Sequence, residues 1–126
     1  MTRIGLWLLG GAVLAAGAPA LAQPKPDSCF RLSQLESTRP DGDRRIYARV
    51  GVTSVYRIDL AHRCSSLGSA ASHLVIVPTG GRDLICGPLD FDLKVNDEGA
   101  VEPCFVQSIT KLSPEEAAAI PKRAKP

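Results

Sequence analysis

The chain has 126 residues, with fifteen basic and thirteen acidic side chains, so its formal charge is +2. This length suits one domain with one modest core. The near-neutral charge gives no support for binding to nucleic acid, which usually needs a clearly basic face, and we therefore expect no nucleic-acid partner.

The first 22 residues have the three-part layout of a secretory signal peptide. Arg3 supplies the charged region, residues 4–17 form an apolar run, and Ala20-Leu21-Ala22 supplies the small residues that a signal peptidase needs. The apolar run is shorter than the roughly 20 residues of a membrane-spanning helix. We predict cleavage before Gln23, no membrane span after cleavage, and a periplasmic or secreted protein. A retained membrane anchor is the alternative.

The predicted mature chain divides into three parts. Residues 23–28 contain two prolines and no hydrophobic periodicity, which predicts a flexible leader. Residues 29–120 form the predicted single domain, and residues 121–126 form a basic tail flanked by proline. We interpret the tail as a solvated end, with a weak contact to an anionic surface as the alternative.

Four cysteines in a short exported chain predict two disulfides, because oxidising compartments outside the cytoplasm form and keep such bonds. No two of them are spaced as C-x-x-C, so neither a thioredoxin-like redox centre nor a zinc knuckle is indicated. Three pairings are open. We favour the nested pairing of Cys29 with Cys104 and of Cys64 with Cys86, since it would join the ends of the domain and pin a central loop.

The first strands are predicted by alternation of apolar and polar residues, the period of a half-buried strand. A proline- and glycine-containing turn over residues 39–44 precedes an alternating stretch at 45–50. Gly51 then allows a reversal, and residues 56–60 alternate again. These features predict a β-hairpin.

The second half of the domain predicts further strands. Residues 74–77 are a continuous apolar run, typical of a central strand covered on both faces, and residues 79–83 predict a hairpin turn to a short strand at 84–86. Residues 89–95 alternate most clearly. A last strand is predicted at 104–112, with Pro103 placing its start at a sheet edge.

The end of the domain predicts a short helix. Ser113 begins an S-x-x-E capping box that Glu116 completes, and Pro114 suits the first helical position. A helix this short needs tertiary packing, which we assign to Leu112 and Ile120. The predicted fold is therefore mainly β: a small antiparallel meander or barrel of five to six strands with one short C-terminal helix, stapled by two disulfides.

The order of the cysteines and strand residues forms a recognisable pattern. A tyrosine-containing strand ends in Leu60-Ala61-His62-Arg63-Cys64, and further matching positions follow at Leu84, Cys86, Asp90, Gly99 and Cys104. This pattern resembles a family of small exported bacterial proteins classed only as a domain of unknown function. The likeness covers nearly the whole predicted mature chain and departs at Ser65, where other members have proline. It implies no activity.

Two groups of residues carry candidate chemistry. Asp90 and Asp92, with further carboxylates at Asp83, Asp97 and Glu98, are candidate oxygen ligands of a cation. Their alternation with apolar residues instead indicates the solvated face of a strand, and no EF-hand loop is present. We favour the solvated face and predict no metal site.

The loop from Asp59 to His73 contains both histidines of the chain, His62 and His73, together with the serines Ser65, Ser66, Ser69 and Ser72. Such groups can form a nucleophilic arrangement. However, the G-x-S-x-G elbow is absent, nothing positions an oxyanion hole, and metal binding by the two histidines would need two further donors. The S-x-x-K letters at residues 108–111 lie on a predicted strand, so we treat that match as accidental.

These observations favour a non-enzymatic binding or interaction module of the cell envelope, because a small stapled β scaffold offers rigid loops and little room for a catalytic cleft. Its expected partner is an envelope protein or a cell-wall component, and no cofactor is expected. The alternative is a small hydrolase or enzyme inhibitor that uses the Asp59–His73 loop. A thiol-redox role is a third possibility, which two or more freely reactive cysteines would support.

Overall fold

The structure is a computed structural model and describes Gly17 and residues 28–126. Apart from Gly17, the predicted signal peptide lies outside the described residues, as does all of the predicted leader except Ser28. Over the described ranges, no helix has the length and apolar character needed to cross a bilayer.

The described part of the chain is mainly β, with nine strands in three antiparallel sheets and one short helix. The predicted fold class is therefore confirmed, although the strands are more numerous and are divided among more sheets than expected. Their bounds are β1 (Phe30–Arg31), β2 (Leu35–Pro40), β3 (Arg45–Val50), β4 (Ser54–Leu60), β5 (Ser72–Pro78), β6 (Leu84–Ile85), β7 (Phe91–Asp97), β8 (Ala100–Cys104), β9 (Val106–Lys111) and α1 (Pro114–Ala118).

The predicted hairpin forms the centre of a four-stranded sheet with the order β2-β3-β4-β9. Ile46 lies opposite Ile58 and Ala48 opposite Tyr56, so the apolar sets of both strands share one face, as their alternation predicted. Gly51 allows the reversal with φ of 59°, a value that glycine adopts at little cost. The sheet is not a simple meander, because β9 returns from the end of the domain to pair with β4.

A three-stranded sheet with the order β5-β7-β8 faces the first sheet through its apolar side. The turn predicted at residues 79–83 does not form a hairpin: β5 pairs with β7, and the short β6 pairs with β1. The prediction of a central strand at residues 74–77 is also wrong. β5 is an edge strand whose side chains alternate between core and solvent, and Val75 and Val77 are 39% and 43% exposed.

The core lies between the inner faces of the two larger sheets. Ile46 and Ile58 from one sheet and Val95 from the other are at most 1% exposed. Phe30 from β1 closes one end, with its ring centroid 5.0 Å from that of Tyr56. The tyrosine hydroxyl donates to the carbonyl oxygen of Cys29 at 3.1 Å, so one inward side chain of β4 holds the start of the described domain.

Two disulfides are formed, but not with the nested pairing that we favoured. Cys29 is bonded to Cys86, and Cys64 to Cys104. The strand register explains the correction. Phe30 lies opposite Ile85, which places the preceding Cys29 beside the following Cys86. The pairing of β4 with β9 reaches Leu60 and Val106, and beyond it the Ala61 amide donates to the Phe105 carbonyl. This bond brings the segment after β4, which contains Cys64, close to Cys104 at the end of β8.

The helix α1 begins as predicted. The Ser113 hydroxyl accepts from the Glu116 amide at 3.2 Å, while the Glu116 carboxylate accepts from the Ser113 amide at 2.8 Å. The predicted packing of Leu112 and Ile120 is confirmed: with Ala124, they form a small buried cluster around Tyr47 on the outer side of the four-stranded sheet. The solvated tail is therefore a wrong prediction at Ala124, which is fully buried.

Candidate functional site

The residues of the enzymatic alternative do not assemble into a catalytic arrangement within the described chain. Asp59 is occupied by two arginines: one carboxylate oxygen accepts from Arg45 and the other from Arg57, both at 2.8 Å. The hydrogen bond to Asp59 raises the pKa of the Arg45 guanidinium. No hydrogen bond joins Asp59 to His62 or His73 among the described residues. The carboxylate therefore orients arginines on the sheet and not an imidazole.

The serines of the same loop also have structural partners. Ser65 and Ser66 donate their amides to the Glu102 carboxylate at 3.1 and 2.9 Å, and the Ser65 hydroxyl donates to it as well. These backbone donors hold the pKa of the Glu102 carboxyl below its ordinary value. Ser69 donates its hydroxyl to Asp97 at 3.1 Å. These bonds tie the loop to β7 and β8, beside the Cys64–Cys104 disulfide.

Two of the carboxylates considered as cation ligands, Asp83 and Asp90, accept hydrogen bonds from different parts of the protein. The Asp90 carboxylate accepts from the amides of Cys86 and Gly87 at 2.7 and 2.8 Å and so closes the turn before β7. Asp83 accepts from Ser33, whose backbone amide is the main cause of its lowered pKa. Among the described residues, no three or more histidine, cysteine, aspartate or glutamate side chains are grouped suitably for a metal ion.

The most distinctive surface is the solvent side of the three-stranded sheet, which we call the outer face. It carries one row of side chains from each strand: His73, Val75 and Val77 from β5, Asp92, Lys94 and Asn96 from β7, and Val101 and Pro103 from β8. The register aligns Val75, Lys94 and Pro103 across the sheet, and likewise His73, Asn96 and Val101. Apolar side chains thus flank a polar central strand.

Exposed apolar residues are concentrated at this face. Among the described residues, seven large hydrophobic side chains are strongly exposed. Three of them, Val75, Val77 and Val101, lie on the outer face itself, and two more, Leu89 and Phe105, line a cavity of about 400 Å³ together with Asp92 and Pro103. Single exposed hydrophobic residues are common, whereas a concentration of them indicates an interaction site or a ligand groove. Here the polar residues of β7 separate Val75 and Val77 from Val101.

The solvent side of the four-stranded sheet has a different character. Arg39, Arg49 and the Arg45–Asp59–Arg57 cluster project from it, and the C-terminal segment packs across its centre at Tyr47. Arg123 of that segment pairs with Asp41 at 3.3 Å. The near-neutral total charge therefore conceals a local concentration of arginines, which the alternation in residues 45–50 places on one face.

The loop from Asp59 to His73 was singled out by its histidines, yet the outer face was missed as a surface. The missed signal is the pair of valines inside the apolar run of residues 74–77. A continuous apolar run is equally compatible with a strand buried on both faces and with an edge strand that exposes alternate apolar residues. Only the packing of the sheet distinguishes these cases: Leu74 and Ile76 on its inner face pack against the core, whereas Val75 and Val77 on its outer face are exposed.

Comparisons with known proteins give no match: no protein-family model, no curated protein and no solved structure corresponds to this chain. The resemblance to an exported family of unknown function stays a prediction. The two disulfides indicate an oxidising environment outside the cytoplasm, because thiols in the cytoplasm are kept reduced.

Proposed function

We propose that this protein is a non-enzymatic interaction module of the cell envelope, exported to the periplasm or beyond, that binds another polypeptide through the outer face. The observation that carries the proposal is the concentration of exposed apolar side chains there: of the seven large hydrophobic residues that are strongly exposed in the described chain, five lie on this face or in the cavity beside it. Burying apolar area is the main favourable term in most protein association.

A polypeptide is favoured over a cell-wall glycan by the chemistry of the face. Val75, Val77 and Val101 are aliphatic, and Phe105, although aromatic, forms the wall of a cavity together with Leu89 and Pro103. These side chains give a partner apolar contact area on both sides of the polar central strand β7. Asp92 and Lys94 at its centre provide one charge of each sign, which fixes register more than it adds affinity.

The enzymatic alternative is less favoured, since in the described chain the Asp59 carboxylate and the Ser65 hydroxyl already have structural partners. A binding role requires only a rigid surface. The Cys64–Cys104 disulfide supplies rigidity at the end of β8, and Glu102 ties β8 to the adjacent loop.

Site-specific photocrosslinking in the cells that export the protein tests this proposal. A photoreactive amino acid is placed at Val77 or Val101 on the outer face, and at Val52 as a matched control, since Val52 is a valine that is 92% exposed in the turn after β3. We expect one discrete adduct from both outer-face positions and none from Val52. Mass spectrometry of the adduct then identifies the crosslinked partner segment.

A second variant shows whether an adduct depends on the apolar surface. Phe105→Ser removes the ring that lines the cavity without touching the buried core, because Phe105 is 64% exposed. We expect loss of the adduct at position 77 with unchanged thermal unfolding. An adduct that is equally strong from Val52 would refute binding through the outer face, and one that persists in Phe105→Ser would exclude the cavity at Phe105 from the binding surface.

A further inference from the structure

The strand β5 lies at the margin of the outer face, and one of its backbone edges is unpaired within the described part of the chain. Antiparallel strands alternate between residues that bond to one neighbour and residues that face the other way. The Thr79 amide donates to the Asp90 carbonyl on the β7 side, whereas the Ser72 amide donates to Ser69, away from β7. By this alternation, the amides and carbonyls of Leu74 and Ile76 point to the side of β5 where the described residues form no neighbouring strand.

Proteins usually protect edge strands with charged residues, proline and bulges, and in β5 the only such feature is Pro78, its last residue. The edge strand β2 carries Glu36, Arg39, Pro40 and a register shift, and the edge strand β8 carries Glu102 and Pro103. In β5, by contrast, six residues precede Pro78 and none of them is a lysine, arginine or carboxylate. With seven residues, β5 is also as long as any strand in the described chain.

A cleft adjoins this edge where β5 begins. Its volume is about 530 Å³, and its lining comes from the edge strand β2, the loop before β5 and the start of β5, with Arg39, Arg123 and His73 as its ionisable groups. Asp41 pairs with Arg123, while Arg39 forms no ion pair with any described residue. The cleft is therefore cationic and complementary to an acidic side chain.

We infer that the polypeptide partner binds β5 as an added antiparallel strand, with alternate apolar residues beside Val75 and Val77 and acidic residues at its C-terminal end, next to Arg39. This inference rests on the proposed function. In strand addition, main-chain hydrogen bonds supply affinity, and pockets for alternate side chains supply specificity. The free groups of Leu74 and Ile76 provide the main-chain bonds, Val75 and Val77 select apolar residues, and the cationic cleft selects the acidic end.

Amide hydrogen exchange measured by NMR on the folded, disulfide-bonded protein tests the inference. The probe is an eight-residue peptide with blocked termini, made of three valine–threonine repeats followed by two glutamates. The control peptide has two lysines in place of the glutamates. At about 10 mM glutamate probe, we expect exchange at Leu74 and Ile76 to slow by at least about tenfold. The amides of Val75 and Val77, which already face β7, are expected to change much less.

Charge reversal tests the acidic end separately. Arg39→Glu is expected to raise the Kd of the glutamate probe by about two- to fivefold, the range of an exposed ion pair. Arg49→Glu is the matched control, since Arg49 is an exposed arginine of the same sheet that lines a different cavity, and it is expected to leave Kd unchanged. The lysine peptide is expected to bind more weakly than the glutamate peptide.

The outcomes separate this inference from the proposed function. Strand addition is overturned if a partner is crosslinked at Val77 but the glutamate peptide leaves the exchange of the Leu74 and Ile76 amides unchanged. The outer face then remains as a binding surface. Slowed exchange at both amides without any crosslinked partner supports strand addition and counts against the proposed function. Equal binding of the two peptides overturns the assignment of an acidic partner.

Discussion

Removing the Cys64–Cys104 bond is expected to destabilise the domain severely. The bond closes a loop of 40 residues. In the chain-entropy model, closing a loop of this length raises the free energy of the unfolded chain by about 4 kcal/mol at 25 °C. A small domain has roughly 5–15 kcal/mol of stability in total, so the loss removes a large part of it. Alanine is the suitable replacement for both cysteines, because both are buried and serine would place hydroxyls in the core.

Urea unfolding measures this effect. With a slope of 1–3 kcal/mol per molar urea, a loss of about 4 kcal/mol moves the midpoint down by roughly 1.5–4 M. The double variant at Cys29 and Cys86 serves as the comparison, since it opens a loop of 57 residues with a similar expected cost of about 4 kcal/mol. A midpoint shift below about 0.5 M in either variant would contradict the account of disulfides as the main staples.

The pairing itself can be checked by proteolysis without reduction. Trypsin cleaves after Arg31, Arg63, Arg82 and Lys94, so each of the four cysteines lies on its own peptide. Mass spectrometry is expected to detect the peptide ending at Arg31 linked to residues 83–94, and residues 64–82 linked to residues 95–111. A link between the peptide ending at Arg31 and residues 95–111 would instead show the nested pairing and would refute the register argument.

Three further predictions concern the core, the helix and the loop carboxylate. Ile58→Ala is expected to cost about 2–5 kcal/mol in chemical unfolding, since Ile58 is 1% exposed, whereas Val52→Ala on the surface is expected to stay within about 0.5 kcal/mol. Ser113→Ala is expected to lower the free energy of unfolding by about 1 kcal/mol through loss of the helix cap, and an unchanged value would contradict a stabilising role of α1. Folding lowers the pKa of Glu102 from its ordinary 4.5, so its contribution to stability is complete above that pH and is lost as pH falls through the lowered pKa. Glu102→Gln is therefore expected to reduce the change in the free energy of unfolding with pH below 4.5. The same pH dependence in the variant and the original protein would contradict the assigned role.

Local chemistry determined much of the secondary structure. The alternation in residues 45–50 and 56–60 specified both the strands and their buried faces, because side chains of a strand alternate between its two sides. The capping box at Ser113 and Glu116 specified where α1 begins, since the two residues satisfy each other's backbone amides. These features depend on neighbours within a few residues, which the sequence displays directly.

The partners of each strand depend on contacts that are distant along the chain. Residues 79–83 contain the glycines of a hairpin turn, yet β5 pairs with β7 and β6 turns away to β1. This arrangement lets Ile85 reach the core, where it is fully buried, and it leaves β5 at an edge. Turn residues specify that the chain reverses, but the burial of apolar residues from several segments decides which strand the chain then meets.

The sequence by itself determined that the domain is mainly β, that its four cysteines form two disulfides and that its last helix is capped, because periodicity, cysteine number and capping act through local or compositional rules. Only the tertiary structure decided which cysteines are bonded and which apolar residues stay in solvent. Cys29 meets Cys86 through the register of β1 and β6, and Val75 and Val77 are exposed because the four-stranded sheet packs on the other, inner face of their sheet.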